Sequence, residues 1–192
     1  MKQKTESATE SLEGKLLVAM PTMGDPRFER TVIYMCAHSP EGAMGLVINK
    51  PAEHISFPEL LTQLGIEAET EIAPIRVLSG GPVEAARGFV LHSDDYNRAT
   101  SMDVGDHVAL TATVDILKAI ATGTGPRRCL FALGYAGWGP GQLDAEIQAN
   151  GWLHVDADPD ILFSADLDSK WTRAIAKLGF EVAQLSGAAG RA

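Results

Sequence analysis

Cys36 and His38 stand two apart in the run TVIYMCAH, and on an extended strand that spacing puts a thiol and an imidazole on one face. A thiol beside a base is the smallest arrangement for thiolate chemistry. The neighbours argue against it. A nucleophilic cysteine needs electropositive, partly exposed surroundings, whereas Cys36 lies between Met35 and Ala37 and is better read as a small buried hydrophobe. Cys129 follows Arg127 and Arg128, which would favour thiolate, but it opens the apolar run CLFAL and also reads as core. These are the only two cysteines, too few for a disulfide framework, and both are expected to stay reduced on separate strands.

Two glycine-dense segments could present backbone N–H groups to a ligand. GYAGWGPGQ (Gly134 to Gln142) follows a predicted strand and leads into a predicted helix, whose first donors and dipole suit an anion. It lacks the Gly-Lys-Ser/Thr ending of a Walker loop and the full dinucleotide fingerprint. SGGPV (Ser79 to Val83) offers Gly80 and Gly81 before Pro82. A tight turn alone would also use these glycines. The expected ligand-binding surface, if there is one, therefore joins Gly80, Gly81 and Pro82 to Gly137, Trp138 and Gln142, with Asn49 and His92 as polar neighbours. Trp138 and Tyr135 would supply an apolar wall.

Other constellations are weaker. His38, His54, His92, His107 and His154 show no metal-ligand spacing, so no metal site is expected and no cofactor is implied. Asp156, Asp158 and Asp160 alternate like the opening of a calcium loop, but Pro159 and the missing Gly and Glu favour a solvated acidic turn. Gly-x-Ser-x-Gly is absent, so a hydrolase elbow has no support. Lys170, Arg173 and Lys177 give one basic helical face, which is usually solvated.

The elements that must position these residues follow from patterning. KLLVA (Lys15 to Ala19) is a short strand. Thr31 to His38 and Ala43 to Asn49 form an antiparallel hairpin across Ser39, Pro40, Glu41 and Gly42, and both faces of its first strand are apolar, so that strand is covered twice. SFPELLTQLG is a helix with Ser56 as N-cap, Glu59 closing a capping box, Gly65 as stop, and an apolar face of Leu60, Leu61 and Leu64. Strands follow at 75–79, 88–92 and 107–111. A helix runs from Val114 to Thr122 on Val114, Leu117 and Ala121, and a strand from Cys129 to Leu133. Helices run from Pro140 to Asn150 and from Asp168 to Leu178, the latter with Trp171, Ala174, Ile175 and Leu178 on one face. The short hairpin connection excludes an all-parallel doubly wound sheet.

At 192 residues with 45% hydrophobic and 21% charged residues, one domain with a sizeable core is expected, spanning 14–187 between a flexible tail 1–13 and a loose end 188–192. The net charge of -9 and pI near 5.0 disfavour direct contact with nucleic acid or an anionic membrane. The opening residues lack the apolar core of a secretory signal, and no apolar run approaches the roughly 20 residues of a membrane span. A cytoplasmic protein is expected.

Taken together, GKLLVAMPTMGDPRFERTVIYMCAH, GAMGLVINKP, SGGPVEAARGFVLH, LGYAGWGPGQLDAEIQANGWL and ILF before a KW-containing helix resemble the AlgH/YqgE family of bacterial proteins, from about Gly14 onward. The resemblance implies an α+β fold, a mixed, partly closed sheet with an N-terminal hairpin and peripheral helices. It carries a label as a transcriptional regulator and no established chemistry. The closing GRA replaces the Gly-His-Ala with which relatives often end, so no role passes to a terminal histidine. The favoured function is a non-enzymatic regulatory or interaction module that binds a small ligand or a protein partner. The alternatives are an enzyme using Cys36 or the glycine-rich segments, and a transcriptional regulator, which the charge opposes.

Overall fold

In the computed structural model, which describes residues 10–69, 71–72 and 74–187, KLLVA forms β1 (Lys15–Ala19) and the hairpin forms β2 (Val32–Ser39) and β3 (Gly42–Val47). The hairpin is tighter than the composition implied, because Ser39 pairs with Gly42 and only Pro40 and Glu41 remain as the loop. Next come α1 (Phe57–Gln63), β4 (Val77–Ser79), β5 (Val83–Ser93), β6 (Ser101–Asp103) and β7 (Val108–Thr111). The chain continues through α2 (Val114–Ala121), β8 (Cys129–Trp138), α3 (Gln142–Gln148) and β9 (Trp152–Asp156), then α4 (Pro159–Leu162), α5 (Lys170–Lys177) and α6 (Val182–Gly187). The order across the sheet is β6-β7-β5-β8-β3-β2-β1-β9, antiparallel throughout that path, with the short β4 lying parallel to β8.

Alternation along the strands sorts the side chains into three packed regions. Leu16, Val18, Val32, Tyr34, Leu46, Phe89, Leu91 and Leu110 point to one face, which the sheet curls around and which α4 and α5 close with Ile161, Leu162, Trp171 and Ile175. The opposite face of the first strands carries Leu17, Ile33, Met35 and Val47 under Leu143 of α3 and Trp152. The opposite face of the later strands carries Val77, Val90 and Phe131 under Phe57 and Leu61 of α1 and Ile116 and Leu117 of α2. Each fully buried residue of this size contributes about 1.5–3 kcal/mol by leaving water. The double covering expected for β2 is present, and the architecture is α+β with a curled, mixed sheet. No helix among the described residues is long and apolar enough to cross a membrane.

Several expectations need correction. Of the expected tail 1–13, residues 1–9 lie outside the described residues, and Leu12 is part of the packed domain: it is buried, and its N–H donates to His38 Nδ1 at 3.0 Å. The end 188–192 lies outside the described residues. Leu64 and Val114 are exposed, and the buried faces of α1 and α2 are built instead on Phe57 and Leu61 and on Ile116, Leu117 and Ala121. The expected acidic turn contains the start of a helix, since Asp158 caps α4 by accepting the Asp160 N–H, while Asp156 pairs with Lys15 at 2.9 Å. Lys170 does not belong to an exposed basic face. It is fully buried, donating to the carbonyls of Ile48 at 3.0 Å and Leu162 at 2.8 Å.

Candidate functional site

The two glycine-dense segments do converge, but glycine serves a different purpose there. Gly80 donates to Leu133 O at 2.7 Å and its own carbonyl accepts from Val47 N–H at 2.9 Å, so the segment is sewn into the sheet between β3 and β8. A Cβ on Gly81, whose φ is +151°, would overlap the Tyr135 carbonyl and the Ala136 nitrogen. A Cβ on Gly80 would overlap Gly134 O, and one on Gly134 would overlap Gly81 O. The missing side chains let two backbones touch, and the space a ligand would need at Gly80 and Gly81 is filled by protein.

GYAGW is strand, contrary to the turn expected there. β8 runs on to Trp138, pairing Ala43 with Trp138 and Gly45 with Ala136. Its glycine at 134 takes φ +75°, and this shifts the strand's alternation by one residue. Before it, Leu130 and Ala132 face the enclosed core; after it, Tyr135 faces that core while Ala136 and Trp138 point to the other side. The turn proper is Gly139-Pro140-Gly141, and the free N–H of Gly139 already donates to Gln142 Oε1 at 3.0 Å. With α3 only seven residues long, no anion site is built at its start.

Trp138 is thereby placed at a junction between two open cavities, with Val83 and Gly137 beside it. On one side is a cleft of about 420 Å³ lined by Met23, Phe28, Pro82, Trp138, Gln142 and Trp152. Its organising group is Glu146. One carboxylate oxygen accepts both indole N–H groups, from Trp138 and from Trp152 at 2.9 Å each, and the other accepts from Gln142 Nε2 at 3.1 Å. Both indoles pack edge to face, and Phe28 meets Trp152 in the same way at 5.7 Å. Asp25 and Arg27 stand at the rim as an ion pair at 2.7 Å, and the guanidinium holds the Asp25 carboxyl below its usual range. The other cavity is a groove of about 730 Å³ at the open end of the curl.

Of the expected ligand residues, Pro82, Gly137, Trp138 and Gln142 line the cleft, whereas Gly80, Gly81, Asn49 and His92 line neither cavity. Asn49 is a backbone clamp, accepting from Val32 N–H at 3.0 Å and donating to Arg30 O at 2.9 Å. His92 is fully buried toward the far end of β5. Its Nδ1–H faces the Ser93 carbonyl at 2.9 Å, so Nε2 accepts from Thr111 Oγ1 at 2.8 Å, and burial holds its pKa below the usual value.

Cys36 and His38 do not share a face. The register slips between Met35 and Ala37, a bulge that turns His38 away from Cys36. Cys36 stays in the enclosed core, where burial pushes its thiol up to about 12. His38 lies on the opposite side, near Asp144 of α3 at 3.5 Å. Both thiols are free, and burial raises Cys129 to about 11. Among the described residues no group of three or more His, Cys, Asp or Glu is arranged to hold a metal ion. Residues missed in the sequence are Phe28, Glu146 and Trp152; the spacing of Gln142 and Glu146, one helical turn apart behind Trp138, was the available signal.

A family model described as AlgH-like matches residues 16–183. A UPF0301 protein of Afipia carboxidovorans is 55% identical over 98% of this chain and 93% of its own length, and one of Bradyrhizobium diazoefficiens is 57% identical over 94% and 88%. The solution structure of the AlgH protein from Pseudomonas aeruginosa is similar with a TM-score of 0.75 at 41% identity, covering all of both chains. A crystal structure from Corynebacterium diphtheriae, 19% identical and covering 86% of this chain and 87% of that one, shares the fold with a TM-score of 0.69.

Proposed function

The chain belongs to the AlgH-like, UPF0301 family, and from the geometry of its cleft we propose that it is a non-enzymatic binding module, taking a small ligand or a short segment of a protein partner between Phe28, Trp138 and Trp152. The observation that carries this reading is the Glu146 carboxylate clamped between two indole N–H groups at the foot of an open cleft. Tethering both indoles fixes two large apolar walls before a ligand arrives, which lowers the ordering cost of binding. A thiol pathway has no comparable support, since Cys36 is buried, burial raises its thiol, and the bulge turns His38 away from it. Two free cysteines, Cys36 buried and Cys129 half-buried, fit a reducing cytoplasmic setting.

The three indole N–H groups give a direct assay. Those of Trp138 and Trp152 report on the cleft, while that of Trp171 is held by Ala19 O at 2.8 Å and serves as an internal control. A small-molecule library followed by NMR is expected to yield compounds that move the Trp138 and Trp152 indole signals and leave Trp171 still. Turnover of a substrate that is lost in Cys36→Ser or His38→Ala, with the fold intact, would overturn the proposal.

A further inference from the structure

We infer that the groove on the other side of Trp138 is a second binding site, built for an amphiphile with an apolar chain and an acidic headgroup. Its floor continues the enclosed core to the surface: Phe89 and Tyr135 pack edge to face at 5.9 Å, with Met44 and Leu110 beside them. At its rim stands Met102, a large apolar side chain 62% exposed on the three-residue strand β6. The volume of about 730 Å³ falls in the range of small-molecule pockets, and two methionines in the lining give it adaptable walls.

Charge decides the headgroup. Arg87 is the cation of the lining, and Glu41 at the hairpin turn is its carboxylate. Arg87 is positioned by irregular backbone: five steps of β5, from Val83 to Gly88, oppose two steps of β8, so residues 84–87 leave the ladder and Arg87 folds over the Phe89 ring at 5.1 Å. Its ion pair with Glu84 is long at 3.4 Å and exposed on both sides, so the guanidinium remains available to an incoming anion. The floor strands are paired on both sides, β3 with β2 and β8, and β5 with β7 and β8 except where residues 84–87 leave the ladder, while the free edge of the sheet at the rim, β6, is only three residues long. They leave little edge for an extended peptide to join, which favours a ligand that needs no backbone partner.

The groove shares Val83, Gly137 and Trp138 with the cleft and is tested with reporters that the cleft lacks, Met44 and Met102. Octanoate, decanoate and dodecanoate, with the matched alcohols, are titrated into protein carrying ¹³C-methyl methionine, below micellar concentrations. Met44 and Met102 methyl signals should shift, affinity should tighten about fourfold per added methylene, and each carboxylate should bind about threefold tighter than its alcohol, the scale of an exposed ion pair. Arg87→Gln should erase the preference for the acid, read as the acid-to-alcohol ratio within the variant itself, since loss of the guanidinium from the Phe89 ring also alters the floor that both ligands touch. Glu41→Gln should tighten the acid alone. Equal binding of acid and alcohol by the native protein would overturn the inference, as would a preference that survives Arg87→Gln. Dilution-dependent methionine signals with a doubled mass, which assign the groove to a second copy of the chain, would also overturn it, and so would shifts confined to the Trp152 indole.

Discussion

Lys170 makes stability depend on pH in a window where few other groups act. Its ammonium is fully buried and faces two carbonyls, with no carboxylate among its partners. Burial, reinforced by the charge of Arg173, lowers its pKa from 10.5 to about 7. In the unfolded chain the same lysine keeps its proton up to about pH 10.5, so between the two values the unfolded state binds more protons and stability rises with pH. The effect saturates below about 7, where both states are charged, and above 10.5, where both are neutral. From pH 7.5 to 8.5 the gain is about 1.2 kcal/mol, a shift of roughly half a molar in the urea midpoint. Cys36 and Cys129 act in the opposite sense, since burial raises both while the unfolded thiols already begin to ionise in this window, which offsets about 0.3–0.7 kcal/mol of the lysine's gain; Tyr34, also raised, acts only at higher pH. Lys170→Met should flatten the profile. Its absolute stability at pH 7.5 discriminates less, because relief from burying a cation is offset by two carbonyls losing a donor. Urea titrations at several pH values measure the slope. A native slope near zero between pH 7.5 and 8.5, or one that persists in Lys170→Met, would refute the reasoning.

The packing of the two glycine segments predicts that Gly81→Ala costs more than 3 kcal/mol, roughly the sum of backbone overlap and a strained φ. Gly141→Ala, at φ +69° with open space around it, should cost only about 1 kcal/mol, and comparing the two melts checks the claim. Glu146→Ala strands two indole donors and should cost about 3 kcal/mol, whereas Glu146→Gln keeps an acceptor and should cost about 1; equal losses would mean the carboxylate is not the clamp. In the native state Cys36 should react with a thiol reagent at least about a thousandfold more slowly than in the unfolded chain, from its thiolate fraction alone. Alkylation of the denatured, unreduced protein should find both thiols, and a Cys36–Cys129 bridge would contradict the separation of their strands.

Local chemistry made part of this fold legible. Ser56, Pro58 and Glu59 announce α1, the apolar run around Ile33 announces a doubly covered strand, and Trp171, Ala174 and Ile175 mark the buried face of α5. What failed did so where tertiary contact overrode a local rule. Gly134 and Gly137 suggest a turn, yet they sit inside β8 because another backbone presses on it at Gly81. A bulge has no signature in TVIYMCAH, so spacing alone puts Cys36 and His38 on one face and the structure does not. Charge alone points Lys170 to solvent, yet it stands one turn before the buried Ala174 and shares its face. β6 and β9 are short and were not seen, and α4 was hidden in an acidic stretch whose Asp158-Pro159 start is itself a helix signal. For the site, Trp138 was visible as a candidate, but its partner Trp152 reaches it only through Glu146.

The most direct test of the binding-module account is a crystal structure of the full chain soaked with a diverse set of small aromatic and aliphatic fragments. Aromatic fragments are expected to gather between Phe28, Trp138 and Trp152 with the Glu146 clamp unchanged from its unliganded geometry. A cleft that stays empty while fragments gather beside Arg127 and Arg128, or bound fragments that draw the two indoles off Glu146, would contradict it.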